Sequence, residues 1–163
     1  MVTQPLRRAE ALLQFSKDHH FTLLLVWKIR QGLRHSVEPG RIKKYINYFF
    51  ENFLSQHFRE EEQLLFSELE EDNSLRQMAI EDHNYLYQLN EQIKITAEVS
   101  RFRIFSDRLE QHIRFEERTL FTLLQNSLPA SKMESVLEKM SSSHAAQKQD
   151  TWEDEFWKSA PGI

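Results

Sequence analysis

The chain has 163 residues, with 21 basic and 25 acidic side chains, a formal net charge of −4 and no cysteine. The missing cysteine excludes disulfides, thiolate metal sites and a cysteine nucleophile, so any metal ligand must be a nitrogen or an oxygen atom. The small negative charge gives no reason to expect a nucleic-acid partner, and the length and the scarcity of glycine (3) and proline (4) predict one all-α domain.

The N-terminal segment is charged and lacks the apolar core of a secretion signal. The longest apolar run, Leu23 to Trp27, is far shorter than the roughly 20 residues that span a bilayer. We therefore expect a soluble, cytoplasmic protein without a membrane partner.

The first predicted helix runs from about Pro5, where the missing N–H of a proline costs nothing, to about Arg34. Residues 37–40, Val-Glu-Pro-Gly, place a proline beside a glycine and predict a turn. The second predicted helix follows from about Arg41 to about Leu69.

Capping residues predict where the next two helices begin. Residues 72–74, Asp-Asn-Ser, supply side chains for the start of a third helix, and Ser100 can cap a fourth. The fourth helix is expected to end at residues 128–130, Leu-Pro-Ala, because proline cannot continue the helical hydrogen bonds.

A fifth, more polar amphipathic segment follows. Ser131 and Glu134 have the spacing of a capping box, and the stretch from Met133 to about Trp157 is predicted to be helical. This helix and the tail after it are expected to pack on the same domain as the four preceding helices.

The four long helices each carry an apolar stripe at helical spacing. Residues 1–128 are therefore predicted to form an antiparallel up-down-up-down four-helix bundle, with residues 129–163 as the C-terminal helix and tail.

Two segments in the second and fourth predicted helices are nearly alike: QHFREEEQLLF, with His57 and Glu61, and QHIRFEERTLF, with His112 and Glu116. Side chains four residues apart leave the same face of a helix, one turn from each other. Each segment therefore presents an imidazole and a carboxylate to whatever lies opposite.

Histidines also occur on the apolar faces of the first and third predicted helices, in Asp18-His19-His20 and Asp82-His83. One histidine on an apolar face is more often a core residue than a ligand, and His-x-x-x-Glu arises by chance in a Glu-rich chain. Here all four helices carry a histidine, and two add a glutamate whose burial would be costly without a partner. The combination predicts a pair of metal ions.

The ligand types narrow the choice of metal. Imidazole and carboxylate without sulfur suit iron, manganese or zinc, and a glutamate can give one oxygen to each of two neighbouring ions. Six protein ligands shared between two ions leave coordination positions for small molecules.

The four motifs, in this order and spacing, resemble the bacterial hemerythrin-like, HHE-type cation-binding domains over roughly residues 8–126. The resemblance implies a non-haem di-iron centre in which two iron ions (Fe2+/Fe3+) share a bridging oxo or hydroxo group, with manganese or zinc as substitutes. By the same resemblance Glu61 and Glu116 bridge the ions, and the terminal ligands are His57, His83, His112 and either His19 or His20.

The first-helix ligand is open between two neighbours. His19 lies nearest the centre of the apolar stripe and follows an aspartate, as His83 does, which favours it. His20 has Leu23 three residues further on, as His83 has Leu86, and stays an alternative.

One position departs from the family pattern. Oxygen-carrying hemerythrins have a further histidine one turn before the third-helix ligand, where this chain has Ala79. Water, Glu62 or the spare histidine of the first helix could take that place, and strict oxygen carriage is put in doubt.

The resemblance predicts a metal- and oxygen-binding protein more than an enzyme, one that binds or senses oxygen, nitric oxide or a redox state. The alternative is a role in oxidative or nitrosative stress, through iron-centre repair or reduction of peroxide or nitric oxide. A third hypothesis is a metal-stabilised interaction protein, in which the ordering of the chain on metal binding is the signal. The sequence does not give the oligomeric state.

Overall fold

The structure of the protein, a computed structural model, describes residues 8–144 and 151–158. The part it describes contains helices and no strands. We number the helices α1 to α5: Glu10–Arg34, residues 39–68, Ser74–Ile95, residues 99–127 and Ala130–His144.

The first four helices form the antiparallel up-down-up-down bundle that the sequence predicts. Among the four long helices, each packs against two of the other three: α1 packs against α2 and α4, and α3 packs against the same two. Helices that run in the same direction therefore occupy diagonal corners, and all four can direct side chains toward one central point.

Helix α1 begins at Glu10, after Ala9, whose backbone N–H donates to Oε1 of Gln125 at 2.6 Å. The predicted start at Pro5 lies outside the described residues. The helix ends at Arg34 in a Schellman motif with Ser36 at a φ of 53°, where the N–H of Val37 donates to the carbonyl of Gly32.

Helix α2 begins two residues earlier than predicted, at Pro39, and Oε1 of Glu38 accepts from the N–H of Gly40 at 2.9 Å. It contains two π-helical turns, Phe50–Leu54 and Glu61–Leu65, and ends in a 3-10 turn, Phe66–Glu68. Helix α4 contains one π-helical turn, Glu116–Leu120.

The predicted cap of α3 is confirmed, since Oδ1 of Asn73 accepts from the N–H groups of Leu75 and Arg76. The predicted cap of α4 is wrong: the helix begins at Val99, so Ser100 already lies in its first turn.

The predicted capping box of the last helix is also wrong. Helix α5 begins at Ala130, and the carbonyl of Pro129 accepts from the N–H groups of Lys132 and Met133. Ser131 is therefore inside the first turn and does not precede it.

The prediction of one helix as far as Trp157 is wrong. Helix α5 is described as far as His144, residues 145–150 lie outside the described part, and residues 151–158 form turns without a helix. The rings of Trp152, Phe156 and Trp157 all contact Tyr45 of α2, with centroids 5.6, 5.7 and 5.4 Å away. Residues 151–158 thus form a compact turn in which three rings contact one tyrosine. Packing against the bundle, and not helical periodicity, determines the conformation of this segment.

Two apolar clusters lie on either side of the bundle's middle. The larger contains Tyr45, Phe49 and Phe105, and the smaller contains Leu12, Leu65 and Leu124 with the buried face of α5. No helix in the described residues is both long enough and apolar enough to cross a membrane.

Candidate metal centre

A polar cluster occupies the interior of the bundle between the two apolar clusters. Each of the four long helices contributes one histidine near its middle, and α2 and α4 each add a glutamate one turn further on. None of these residues is more than 7% exposed: His19, His57, Glu61, His83, His112 and Glu116.

The six residues form two groups of four potential metal ligands. Within each group, one ligand atom of every residue lies within 4.8 Å of the others. The first group, which we call half-site A, contains His19 and His57, and the second, half-site B, contains His83 and His112. Both groups include Glu61 and Glu116, so the two carboxylates are shared.

Each histidine directs Nε2 toward these carboxylates. In half-site A, Nε2 of His19 lies 3.0 Å from Oε2 of Glu116, and Nε2 of His57 lies 3.1 Å from Oε1 of Glu61. In half-site B, Nε2 of His112 lies 2.5 Å from Oε1 of Glu116, and Nε2 of His83 lies 3.3 Å from Oε1 of Glu61. Four imidazole nitrogens thus surround two carboxylates.

The other ring nitrogen of each histidine, Nδ1, faces a second carboxylate on a neighbouring helix. We call these four acidic residues the outer carboxylates. The contacts are Asp18 to His57 at 3.3 Å, Glu62 to His83 at 3.6 Å, Asp82 to His112 at 3.1 Å and Glu117 to His19 at 2.6 Å. All four acidic residues lie within the sequence motifs, but the motifs alone do not indicate which of them faces which Nδ1 atom.

The local backbone repeats between the two motif copies. A π-helical turn begins at Glu61 in α2 and another begins at Glu116 in α4. Such turns in α-helices are often found at functional sites, because the extra residue per turn redirects a side chain. Here both shared glutamates lie at the first position of the turn.

The shared carboxylates are buried without the hydrogen bonds that would normally compensate. All four oxygens, Oε1 and Oε2 of Glu61 and of Glu116, are buried and accept no hydrogen bond from the described part of the chain. When the facing imidazoles are neutral, a buried carboxylate without a cation is costly. Nitrogen and oxygen donors that converge on one point without sulfur suit a hard or borderline cation, so the residues present fit a metal pair.

Electrostatics at the centre favour charged side chains despite the burial. Burial alone would lower the pKa of His57, but Glu61 and Asp18 outweigh it and raise the pKa to about 9. Burial also opposes protonation of His19 and His83, yet the surrounding glutamates raise both pKa values well above the usual one. Burial would raise the pKa of Glu116, but neighbouring His112 holds it well below the ordinary value.

Aromatic rings wall the centre. Phe58 stacks on His83 with ring centroids 4.0 Å apart, and Phe66 stacks on the same imidazole at 5.6 Å. Phe121 stacks on His19 at 5.3 Å. These rings exclude water from the imidazoles and restrict their orientation.

The structure separates the two neighbouring histidines of α1. His19 is buried in the cluster, whereas His20 is exposed and belongs to neither half-site. A rotation of about 100° per residue separates the two side chains around the helix, so only one of them can point inward.

The structure also shows where the side chains lie that could replace the histidine missing at position 79. Ala79 is buried in the smaller apolar cluster. Glu62 faces the outer nitrogen of His83, away from the shared glutamates, and His20 lies on the surface. Neither Glu62 nor His20 is therefore among the four ligand residues of half-site B.

Fold and cluster together define the class: a four-helix bundle with a histidine–carboxylate cation site in its interior. The hemerythrin HHE cation-binding domain model matches residues 11–124. The chain therefore belongs to the hemerythrin HHE cation-binding domain family, which confirms the family predicted from the four motifs. No curated protein and no solved structure matches the chain.

Proposed function

We propose that the protein holds two iron ions in the centre of the bundle and binds or senses a small diatomic ligand, oxygen or nitric oxide, or a redox state. His19 and His57 would hold one ion, His83 and His112 the other, and Glu61 and Glu116 both. An iron pair held in this way would supply a reversible redox couple and positions for an exogenous ligand.

The observation that carries the proposal is the sharing of both glutamates by two four-residue groups. A mononuclear site needs one such group, and a structural histidine cluster needs no buried carboxylate without hydrogen bonds. Two groups joined by two carboxylates match the requirement of a carboxylate-bridged pair.

The surroundings favour a small ligand. Four protein ligands per ion leave positions open at an iron that prefers a higher coordination number, and Ala79 offers no side-chain donor beside half-site B. The phenylalanines that stack on the imidazoles make the walls apolar, which suits a diatomic molecule better than a charged substrate.

The test is anaerobic loading with Fe(II), elemental analysis, and absorption spectra after addition of oxygen or nitric oxide. We expect close to two iron ions per chain and a spectral change that reverses when the gas is removed. Glu116→Ala, which removes a shared ligand, is the matched control and should show neither. A wild-type protein that stays folded and metal-free under these conditions would overturn the proposal, and rapid turnover of peroxide or nitric oxide would favour the stress-response alternative.

A further inference from the structure

The outer carboxylates connect the four helices of the bundle in a closed ring. Each helix supplies one acidic side chain to the histidine of the next helix: α1 to α2, α2 to α3, α3 to α4, and α4 back to α1. Every long helix therefore both gives and receives one contact. The same order holds in the two halves of the bundle, so the ring has an approximate twofold repeat.

The chemistry of imidazole gives these contacts a role. A histidine that donates Nδ1–H to a carboxylate keeps the lone pair of Nε2 for a metal ion, and the contact also fixes the plane of the ring. The acidic groups lie farther from the centre than the shared glutamates, with side chains 15% exposed for Asp18 and Asp82 and 30% for Glu117. They would therefore orient the histidine ligands and would not bind the ions themselves.

One of the four contacts between an outer carboxylate and a histidine is longer than the other three. Three of the four distances, 2.6, 3.1 and 3.3 Å, are within hydrogen-bond range, whereas Nδ1 of His83 lies 3.6 Å from Glu62. That nitrogen is buried and makes no hydrogen bond among the described residues. The imidazole of His83 is instead oriented by stacking on Phe58 and Phe66 and by its other nitrogen, Nε2, which lies 3.0 Å from Nε2 of His112.

We propose that Asp18, Asp82 and Glu117 are positioning residues of the metal centre and that the two half-sites bind their ions unequally, A more tightly than B. This inference rests on the proposed metal pair. In half-site A both imidazoles are held by hydrogen-bonded carboxylates, while in half-site B only His112 is. Half-site A should therefore fill first.

The experiment is an anaerobic Fe(II) titration against a competing chelator, on the full chain and on Asp18→Asn, Asp82→Asn, Glu117→Gln and Glu62→Gln. For the wild type we expect two steps of unequal affinity. Loss of a carboxylate that orients a metal-binding histidine typically weakens metal binding 10- to 100-fold. We expect a loss of about that size in the tighter step for Asp18→Asn and Glu117→Gln and in the weaker step for Asp82→Asn, but less than about threefold for Glu62→Gln.

Two controls separate positioning from general destabilisation. Glu81→Gln removes the same charge from an exposed residue next to Asp82 and should leave both steps unchanged. Thermal melts of the metal-free variants give the cost to the fold alone, and histidine side-chain NMR of the Zn(II)-loaded protein reports whether Nδ1 keeps its proton. Asp82→Glu, which retains a carboxylate, should bind metal more tightly than Asp82→Asn.

The outcomes are distinguishable. A wild type that binds two ions while all four outer variants match it would overturn the positioning role and leave the proposed function intact. Affinity losses fully accounted for by the metal-free melts would overturn it as well. Two indistinguishable steps in the wild type would overturn the inequality of the half-sites, and absence of metal from the wild type would instead remove the proposed function.

Discussion

Two regions of this bundle bury charged side chains, and different groups compensate for the lost hydration in each. Near the loop between α1 and α2, the amine of Lys28 donates to the hydroxyl of Tyr45 at 3.1 Å and lies 4.0 Å from the centre of the Trp157 ring. At the middle of the bundle, the oxygens of Glu61 and Glu116 accept no hydrogen bond from the described chain. The charge of Lys28 is stabilised by an aromatic ring and a hydroxyl group, whereas the two carboxylates need either protonated imidazoles or a metal cation.

The two regions differ in what compensates for the lost hydration of the buried charge. The aromatic region around Lys28 is complete as it stands, because cation–π contacts and a hydrogen bond compensate for lost hydration. The central cluster places four histidine nitrogens around carboxylates that receive no hydrogen bond, an arrangement that two metal ions would complete. The aromatic region should therefore affect only stability, and the centre should affect metal binding and stability together.

The largest expected effect is loss of the metal pair in Glu61→Ala or Glu116→Ala. Because each carboxylate belongs to both half-sites, either change should reduce the affinity for both ions by at least about 100-fold. The matched control is Lys28→Met, which removes a buried charge from the aromatic region and should leave two ions bound. Elemental analysis of the three proteins decides, and metal loss in Lys28→Met would contradict the separation of the two regions.

Removing the metal should lower the melting temperature strongly. A ligand present at about a thousandfold excess over its Kd stabilises the native state by about 4 kcal/mol, which for a chain of this length corresponds to roughly 10 °C. Calorimetric melts with and without a chelator measure the difference. Equal melting temperatures would mean that the protonated cluster is as stable without metal as with it.

The stabilisation by metal should also grow with pH. In the metal-free protein the pKa of His57 is raised to about 9, so its ion pairs stabilise the fold below the unfolded pKa of about 6.5 and this contribution is lost as the pH rises toward 9. Metal binds the neutral imidazole, so protons compete with it over the same range. Melts with and without metal should therefore diverge between pH 6 and 9, and a constant difference would contradict proton competition.

A smaller effect is expected from Phe156→Ala in the aromatic region. The Phe156 ring is 2% exposed and lies so close to Gly32 that a Cβ there would be 2.8 Å from it. Its truncation should cost about 3 kcal/mol, equally with and without metal. Trp27→Ala is the matched aromatic control, because Trp27 is 49% exposed, and should change stability by less than about 0.5 kcal/mol. A change in metal stoichiometry in Phe156→Ala would show that the two regions are coupled.

The smallest effect is expected from His20→Ala. His20 is exposed and in neither half-site, so both ions and the melting temperature should be retained, whereas His19→Ala should weaken half-site A. Metal analysis of this pair tests which neighbour is the ligand. Loss of metal in His20→Ala alone would reverse the assignment.

The sequence could predict the parts of this protein that depend on local spacing. The fold class, the family and the cap at Asn73 followed from helical periodicity and from four motifs in order. The same reliance on local spacing predicts a helix in the stretch after α5, where the structure has turns. The apolar residues there have helical spacing, but Trp152, Phe156 and Trp157 contact Tyr45, which is more than 100 residues away along the chain.

By itself the sequence determined the types of side chain that meet at the centre, because histidine and glutamate four residues apart share a helix face in any amphipathic helix. Only the tertiary structure decided which histidine of α1 points inward and which carboxylate holds which imidazole. Those contacts join residues 21 to 98 positions apart, from Glu62 with His83 to His19 with Glu117. They depend on how the four helices are rotated against one another, and side-chain packing across the whole bundle sets that rotation.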